Sequence, residues 1–414
     1  MKSENSWKTK ILLFFISQSV TLFGSTLVQM AVIWYVTLQT SRGIWVAAFS
    51  VCSYLPQFLL SFVGGVWADR YDRKKLIIAA DAGIALITLV VFGILSFDDL
   101  ERGSLGILLL MSGLRSVGAG IQTPAVSAVI PSVVPGPYLM RYNGIYGALQ
   151  SVVQFAAPAA AGVLLSFLSL RMALLVDVVT AMLGIILLAG IPIPRQENSV
   201  ERERFFTELQ AGIAYSRSNN RIGRVLAIYG MFVLLCVPGG FLAGLFVNRI
   251  YGETYWYLTV TELAGFAGMT AGGILMGIWG GFQGQTREKK ICGREKTLAV
   301  GLICFGLLSA GMGMAWAFPV YLLLMGFYGV ALTTVQTAAT VLLQENTEAW
   351  MQGRVLGLMQ AVYAGSLPLG IAVFGTAADF LPMQGIMALG GAALVGMGLW
   401  VEKQGIRGYN DKKK

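Results

Sequence analysis

Long apolar runs separated by short polar turns recur along the chain from Ile11 onward. The first, 11–38, exceeds the apolar region of a signal peptide and is not followed by a small-residue cleavage site, so it predicts a membrane-spanning helix. A bilayer core needs about 20 apolar residues in a helix. Twelve runs meet that need: 11–38, 43–68, 76–96, 104–130, 137–168, 171–193, 222–248, 255–282, 296–316, 319–343, 354–380 and 383–401. The turns test this map. With the N-terminus inside, every Lys and Arg falls on the inner side except Arg42, Arg102, Arg171 and Arg249 in outer turns and Arg115 within a helix. That bias is the positive-inside pattern, and it predicts a multi-pass protein of the cytoplasmic membrane with both termini cytoplasmic.

One long polar stretch, rich in Glu and Arg, follows six runs and precedes six more. It predicts an N-terminal six-helix bundle over 1–194, a cytoplasmic linker over 195–221 and a C-terminal six-helix bundle over 222–414. Within the linker, 205–216 has the pattern of an amphipathic helix on the inner membrane surface. The halves also echo each other. Leu108-Leu109-Leu110-Met111 recurs as Leu322-Leu323-Leu324-Met325, with Gln122-Thr123 matching Gln336-Thr337 at the same offset. Gly147, Gln150, Val152 and Pro158 recur as Gly357, Gln360, Val362 and Pro368. Matches in this order predict two pseudo-symmetric halves.

Composition narrows the function. Of 414 residues, 56% are hydrophobic and 12% charged, and mean hydropathy is +0.69. Soluble domains carry about 25% charged residues, so a soluble enzyme, a nucleic-acid binder and a disordered chain are excluded. The net charge of +9 reads as orientation in the bilayer. There is no His, hence no imidazole to shuttle protons or hold a metal. Cys52, Cys236, Cys292 and Cys304 have no C-x-x-C spacing and read as reduced. No phosphate-binding G-x-x-x-x-G-K-[ST] occurs, so no ATPase is built in. No cofactor or metal is expected.

The turn after the second run reads Gly65-Val66-Trp67-Ala68-Asp69-Arg70-Tyr71-Asp72-Arg73-Lys74-Lys75. It resembles the major facilitator signature G-x-x-x-D-[RK]-x-G-[RK]-[RK], with Asp72 in place of Gly. More narrowly, Asn5-Ser6-Trp7-Lys8, Asp69 to Lys75, Arg115-Ser116-Val117-Gly118, Thr123-Pro124-Ala125 and Gly353-Arg354-Val355 resemble the macrolide-efflux proteins of the drug:proton antiporter group. The resemblance runs over nearly the whole chain. It implies an all-α major facilitator fold of twelve transmembrane helices in two six-helix bundles. It also implies export of macrolide-like or other amphipathic drugs, driven by proton entry through alternating access; a monomer suffices for this.

Candidate residues follow. Asp69, at the inner end of the second helix, is expected to form a gating clasp with the start of the eleventh near Gly353 and Arg354, where a helix N-terminus favours a carboxylate. Gly65, Arg70, Arg73 and Lys74 complete the motif, and Gly65 permits close helix approach. Ionisable groups inside a bilayer cost about 2.5–3.5 kcal/mol each on insertion scales and are functional by default. Asp177 and Glu262 lie deep in apolar runs and are the proton-coupling candidates; Asp81 and Asp379 lie nearer helix ends. Arg115, which resembles the Arg of the family's fourth-helix motif, cannot release its proton and would tune a carboxylate. Pro158 with Gly162 resembles a degenerate form of the antiporter fifth-helix motif, and Pro368 is its counterpart; both predict kinked gating helices. A cavity for a bulky amphipath needs aromatic walls and uncharged polar groups, for which Gln29, Trp34, Gln122, Gln150, Gln336 and Gln360 are available. An exporter of a lipid, siderophore or other metabolite uses the same fold. An intramembrane transferase would need a His, metal or acid cluster that the sequence lacks.

Overall fold

The computed structural model describes residues 2–97, 104–135, 138–193, 213–282, 287–348 and 351–410. The predicted amphipathic segment lies outside the described residues up to 212, and 213–216 is helical. In chain order the helices are α1 (Lys2–Thr40), α2 (Gly43–Arg70), α3 (Arg73–Phe97), α4 (Ser104–Val133), α5 (Leu139–Phe167), α6 (Leu170–Ala189), α7 (Asn220–Leu235), α8 (Ala243–Ile250), α9 (Tyr255–Trp279), α10 (Arg287–Gly313), α11 (Phe318–Asn346), α12 (Gln352–Ala377) and α13 (Met383–Asn410). Among the described residues, eleven helices are long and apolar enough to cross a membrane. The predicted run 222–248 is covered by two shorter helices, α7 and α8. Large apolar side chains face outward, as Ile186 (65% exposed) and Ile278 (84%) do. That is the surface a bilayer, not water, would cover.

The chain forms two compact units. The first comprises 1–40, 48–202 and 254–259; the second comprises 41–47, 203–253 and 260–414. In the first, α1 packs against α5 and α6, and α3 against α4 and α6. Ile11, Phe14, Phe15, Ile77, Val129 and Leu188 form a shared core. Small residues set the crossing of α1 and α6: a Cβ on Gly184 would overlap Thr21 Oγ1, and Ser17 Oγ donates to the Gly184 carbonyl at 2.9 Å. This is the close approach that apolar helices need, since lipid gives them no hydrophobic reason to associate. Pro56 lies inside α2 and removes one N–H from its ladder, and Ser116 of α4 bridges the turn beside it. Its hydroxyl accepts from the Gln57 N–H at 2.8 Å and donates to the Ser53 carbonyl at 2.7 Å. A proline and a side chain inserted into the ladder are both recognised causes of bending in a helix.

In the second unit α10 packs along α13 and α11, and α7 packs on α12. One element differs from the sequence expectation. The run 222–248 reads as a single helix, but it breaks over Cys236–Leu242. Pro238 has no N–H to continue the ladder, and Gly239-Gly240 resists helix. The break is held by other bonds: Gly240 N–H to Cys236 O at 3.0 Å and Leu242 N–H to Val237 O at 3.0 Å. Buried Tyr328 of α11 donates its hydroxyl to the Cys236 carbonyl at 2.8 Å. A side chain on Gly239 would meet that hydroxyl at 3.0 Å, so the glycine leaves room for the tyrosine. Unwound backbone at membrane depth is tolerated where protein satisfies it, and in transporters it accompanies the substrate path.

Candidate functional site

The first unit carries a polar seam where α3, α4 and α6 meet. Arg115 of α4 is 8% exposed and Asp177 of α6 is 2% exposed. They form an ion pair. Thr88 of α3 sits within the pair: it accepts from the Arg115 guanidinium and lies 3.1 Å from the Asp177 carboxylate as a donor. A second guanidinium nitrogen donates to Ser25 of α1 at 3.2 Å. Two of the predicted ionisable residues are thus brought together, and four helices converge on them. Two turns along the same seam, Gln122 of α4 donates to Asp81 of α3 at 2.6 Å. In the sequence Asp81 reads as close to a helix end, yet it is 1% exposed. Position within an element does not report depth when neighbouring helices extend past it.

The basic residues of the turn between α2 and α3 close helix ends. Arg73 donates to the Ala68 carbonyl of α2 at 3.0 Å and to the Ala128 carbonyl of α4 at 2.7 Å. Lys74 donates to the Ala189 and Ile191 carbonyls at the end of α6, at 2.7 and 2.9 Å. Cations at helix C-termini satisfy orphan carbonyls and complement the dipole; Arg73 does so at the end of α2 and also reaches a carbonyl inside α4, and Lys74 does so at the end of α6, so two side chains tie three helices together. Arg70 is exposed. A Cβ on Gly65 would meet nothing within 4 Å. Asp69 is in the last turn of α2 and Gly353 in the first turn of α12; the side chain of the first and the surroundings of the second lie outside the described residues.

Pro158 lies within α5 and Pro368 within α12. A Cβ on Gly162 would overlap Thr259 Oγ1, in the first turns of α9. In the second unit Glu262 of α9 is partly buried. It makes no hydrogen bond or ion pair among the described residues. Of the polar candidates, Trp34 is buried, Gln29 and Gln336 are partly buried, and Gln150 and Gln360 are exposed. An open cavity of about 590 Å³ lies between α7 and α12, lined by residues including Ser216, Arg217, Arg224, Leu234, Val362 and Ser366. None of the sequence candidates lines it.

A second charged cluster joins the end of α8, the residues after α12 and the start of α2. Asp379 accepts from the Gly43 N–H at 2.6 Å and the Ile44 N–H at 2.9 Å. Arg249 pairs with Asp379 at 2.8 Å and donates to the Ser41 carbonyl at 2.6 Å. Asn248 reaches the Ser41 hydroxyl at 2.8 Å. The carboxylate thus caps the first N–H groups of α2 from a distant point in the chain. In the sequence Arg249 is an outer-turn charge and Asp379 lies near a helix end; their pairing across 130 residues has no local signal. Burial raises the Asp379 pKa, but the Ile44 and Gly43 N–H bonds and Arg249 outweigh it and leave it below the usual carboxylate value. Its stabilisation is therefore present above about pH 4, the unfolded value, and is lost as pH falls through the lower folded value. Asp379→Ala should cost about 1 kcal/mol, as a lost helix cap does. The gap in thermal stability from wild type should stay flat between about pH 5 and 8 and close in stronger acid.

Long apolar helices, an apolar run broken at Cys236–Leu242 and a buried ion pair within a helical unit are features of a membrane transporter. Residues 14–371 match the Major Facilitator Superfamily, and the chain belongs to it. The chain is 28% identical over 397 residues to macrolide efflux protein A of Streptococcus pyogenes, covering 95% of this chain and 96% of that one. It is 27% identical over 328 residues to macrolide efflux protein A of Enterococcus faecalis, covering 79% and 98%. In fold it is similar to a mutant of the peptide transporter POT in complex with alafosfalin, with a TM-score of 0.72, 12% identity and coverage of 96% and 94%.

Proposed function

We propose that this chain exports macrolide-like or other amphipathic drugs from the cytoplasm by proton antiport. The observation that carries the reading is the near full-length similarity to macrolide efflux protein A of two bacteria. Export by alternating access needs two homologous halves, and the sequence repeat supplies them. Coupling to protons needs a group that gains and loses one inside the membrane. The chain has no His, so its buried carboxylates are the available groups, and Glu262 makes no hydrogen bond or ion pair among the described residues. The bias of Lys and Arg supports a cytoplasmic-membrane location with both termini inside, and one copy of the fold is enough for the cycle. The Gly65–Lys74 turn, with Asp69, is the gating element in this reading, and Pro158, Gly162 and Pro368 mark the helices that bend. The test is accumulation of labelled erythromycin in cells with and without the protein. Expressing cells should hold less drug, and a protonophore should abolish the difference. Equal accumulation, with the protein present in the membrane, would remove macrolides as substrates.

A further inference from the structure

The two carboxylates of the first unit sit in opposite chemical settings on one seam. Helices α3 and α4 run antiparallel, and both polar contacts obey one register: Asp81 meets Gln122, and seven residues on along α3, Thr88 meets Arg115 seven residues back along α4. Seven residues are two turns, about 10 Å along the helix. A Cβ on Gly118, between the two contacts, would meet Ile84 Cγ1 at 2.6 Å, so the helices are in close contact beside Asp81 and leave little room for water.

At one end of the seam Asp177 has the guanidinium of Arg115. At the other, Asp81 is 1% exposed, its Oδ1 accepts from a neutral amide, and its Oδ2 is buried with no hydrogen-bond partner among the described residues. The charged groups on the helices packed against α3 are few. On α4 there is Arg115, and on α6 there are Arg171, exposed in the first turn, and Asp177. On α3 itself Arg73, Lys74 and Lys75 lie in the first turn, where Arg73 and Lys74 hold backbone carbonyls. No cation among the described residues therefore neutralises Asp81, and Asp177 adds a like charge on its side of the seam. A buried carboxylate with one neutral donor and no counter-charge is far costlier than the neutral acid. Arg115 cannot release its proton, so the pair at the other end is suited to remain a fixed anchor.

We propose that Asp81 is a proton-binding site of this transporter: it holds a proton in the conformation described here, with Gln122 fixing its Oδ1, and releases it when the opening of the α3–α4 seam admits water to Oδ2. This extends the proton-antiport reading and names Asp81 as its carrier in the first unit, with Arg115 and Asp177 as the neighbouring fixed pair.

The experiment has two arms. In purified protein in lipid, the infrared carboxylic-acid C=O band is recorded through a pH titration. Asp81→Asn should remove a component of that band which Glu262→Gln leaves in place, and Asp81→Glu should return it at a shifted frequency. An Asp81→Asn protein that folds and keeps the whole band would overturn the proposal. So would an Asp81→Glu protein without the component. In the second arm, vesicles containing each protein are tested for erythromycin uptake against its gradient and for exchange of labelled for unlabelled erythromycin at equilibrium. Asp81→Asn should abolish the first and retain the second, because exchange moves no net proton; loss of both in folded protein would mark a structural role and contradict the proposal. If wild type holds the Asp81 proton yet moves no erythromycin, the site stands and the macrolide reading falls.

Discussion

Replacing Asp177 with Asn, or Arg115 with Gln, is expected to destabilise the protein by about 3 kcal/mol, while the double variant recovers most of the loss. Two independent scales give this size. Leaving one member of a buried ion pair without its partner costs about 3–5 kcal/mol in soluble cores, and a lone charge at membrane depth costs about 2.5–3.5 kcal/mol on insertion scales. The hydrogen bonds themselves are a smaller effect, since polar contacts between membrane helices average about 0.6 kcal/mol. The orphaned charge therefore decides the outcome. In Asp177→Asn the guanidinium stays buried with Thr88 and Ser25 as its hydroxyl partners; in Arg115→Gln the carboxylate keeps Thr88. Removing both charges leaves neutral amides that bond to each other and to Thr88. The measurement is the fraction of each protein that remains monodisperse in detergent after heating. Losses that simply add in the double variant would show that the pair is not coupled and that each residue acts through separate contacts.

Much of this architecture is legible from hydrophobic run length and the charges between runs, because the bilayer imposes both. The eleven helices among the described residues that are long and apolar enough to cross a membrane follow from that constraint. The run 222–248 shows its limit: it is apolar enough to read as one helix, and run length outweighs Pro238-Gly239-Gly240, which breaks it. The site is less legible. Arg115 and Asp177 stand out singly because charge is rare in apolar runs, but their partnership across 62 residues depends on how α4 and α6 each pack against α3, and no local pattern encodes it. Asp81 shows the converse. In the third turn of α3 it reads as peripheral, whereas the ends of α4 and α6 extend around it. Arg73 and Lys74 read as motif and topology signals; their role in closing the ends of α2 and α6 and holding α4 beside them emerges only when the three helices are brought to one place.

The second large effect is transport itself. Exchange of one proton for one drug molecule lets a gradient of one pH unit, about 1.4 kcal/mol, support about a tenfold drug gradient. Purified protein in liposomes with an acidic lumen tests this directly: erythromycin added outside should enter as protons leave, and the lumen should become more alkaline. Protein-free liposomes at the same gradient set the passive uptake of an amphipathic amine. The expected result is protein-dependent uptake that scales with the pH gradient, vanishes when a protonophore collapses it, and is absent in Asp81→Asn. Uptake equal to that of protein-free liposomes at every gradient, with folded wild-type protein in the bilayer, would contradict proton-coupled macrolide export.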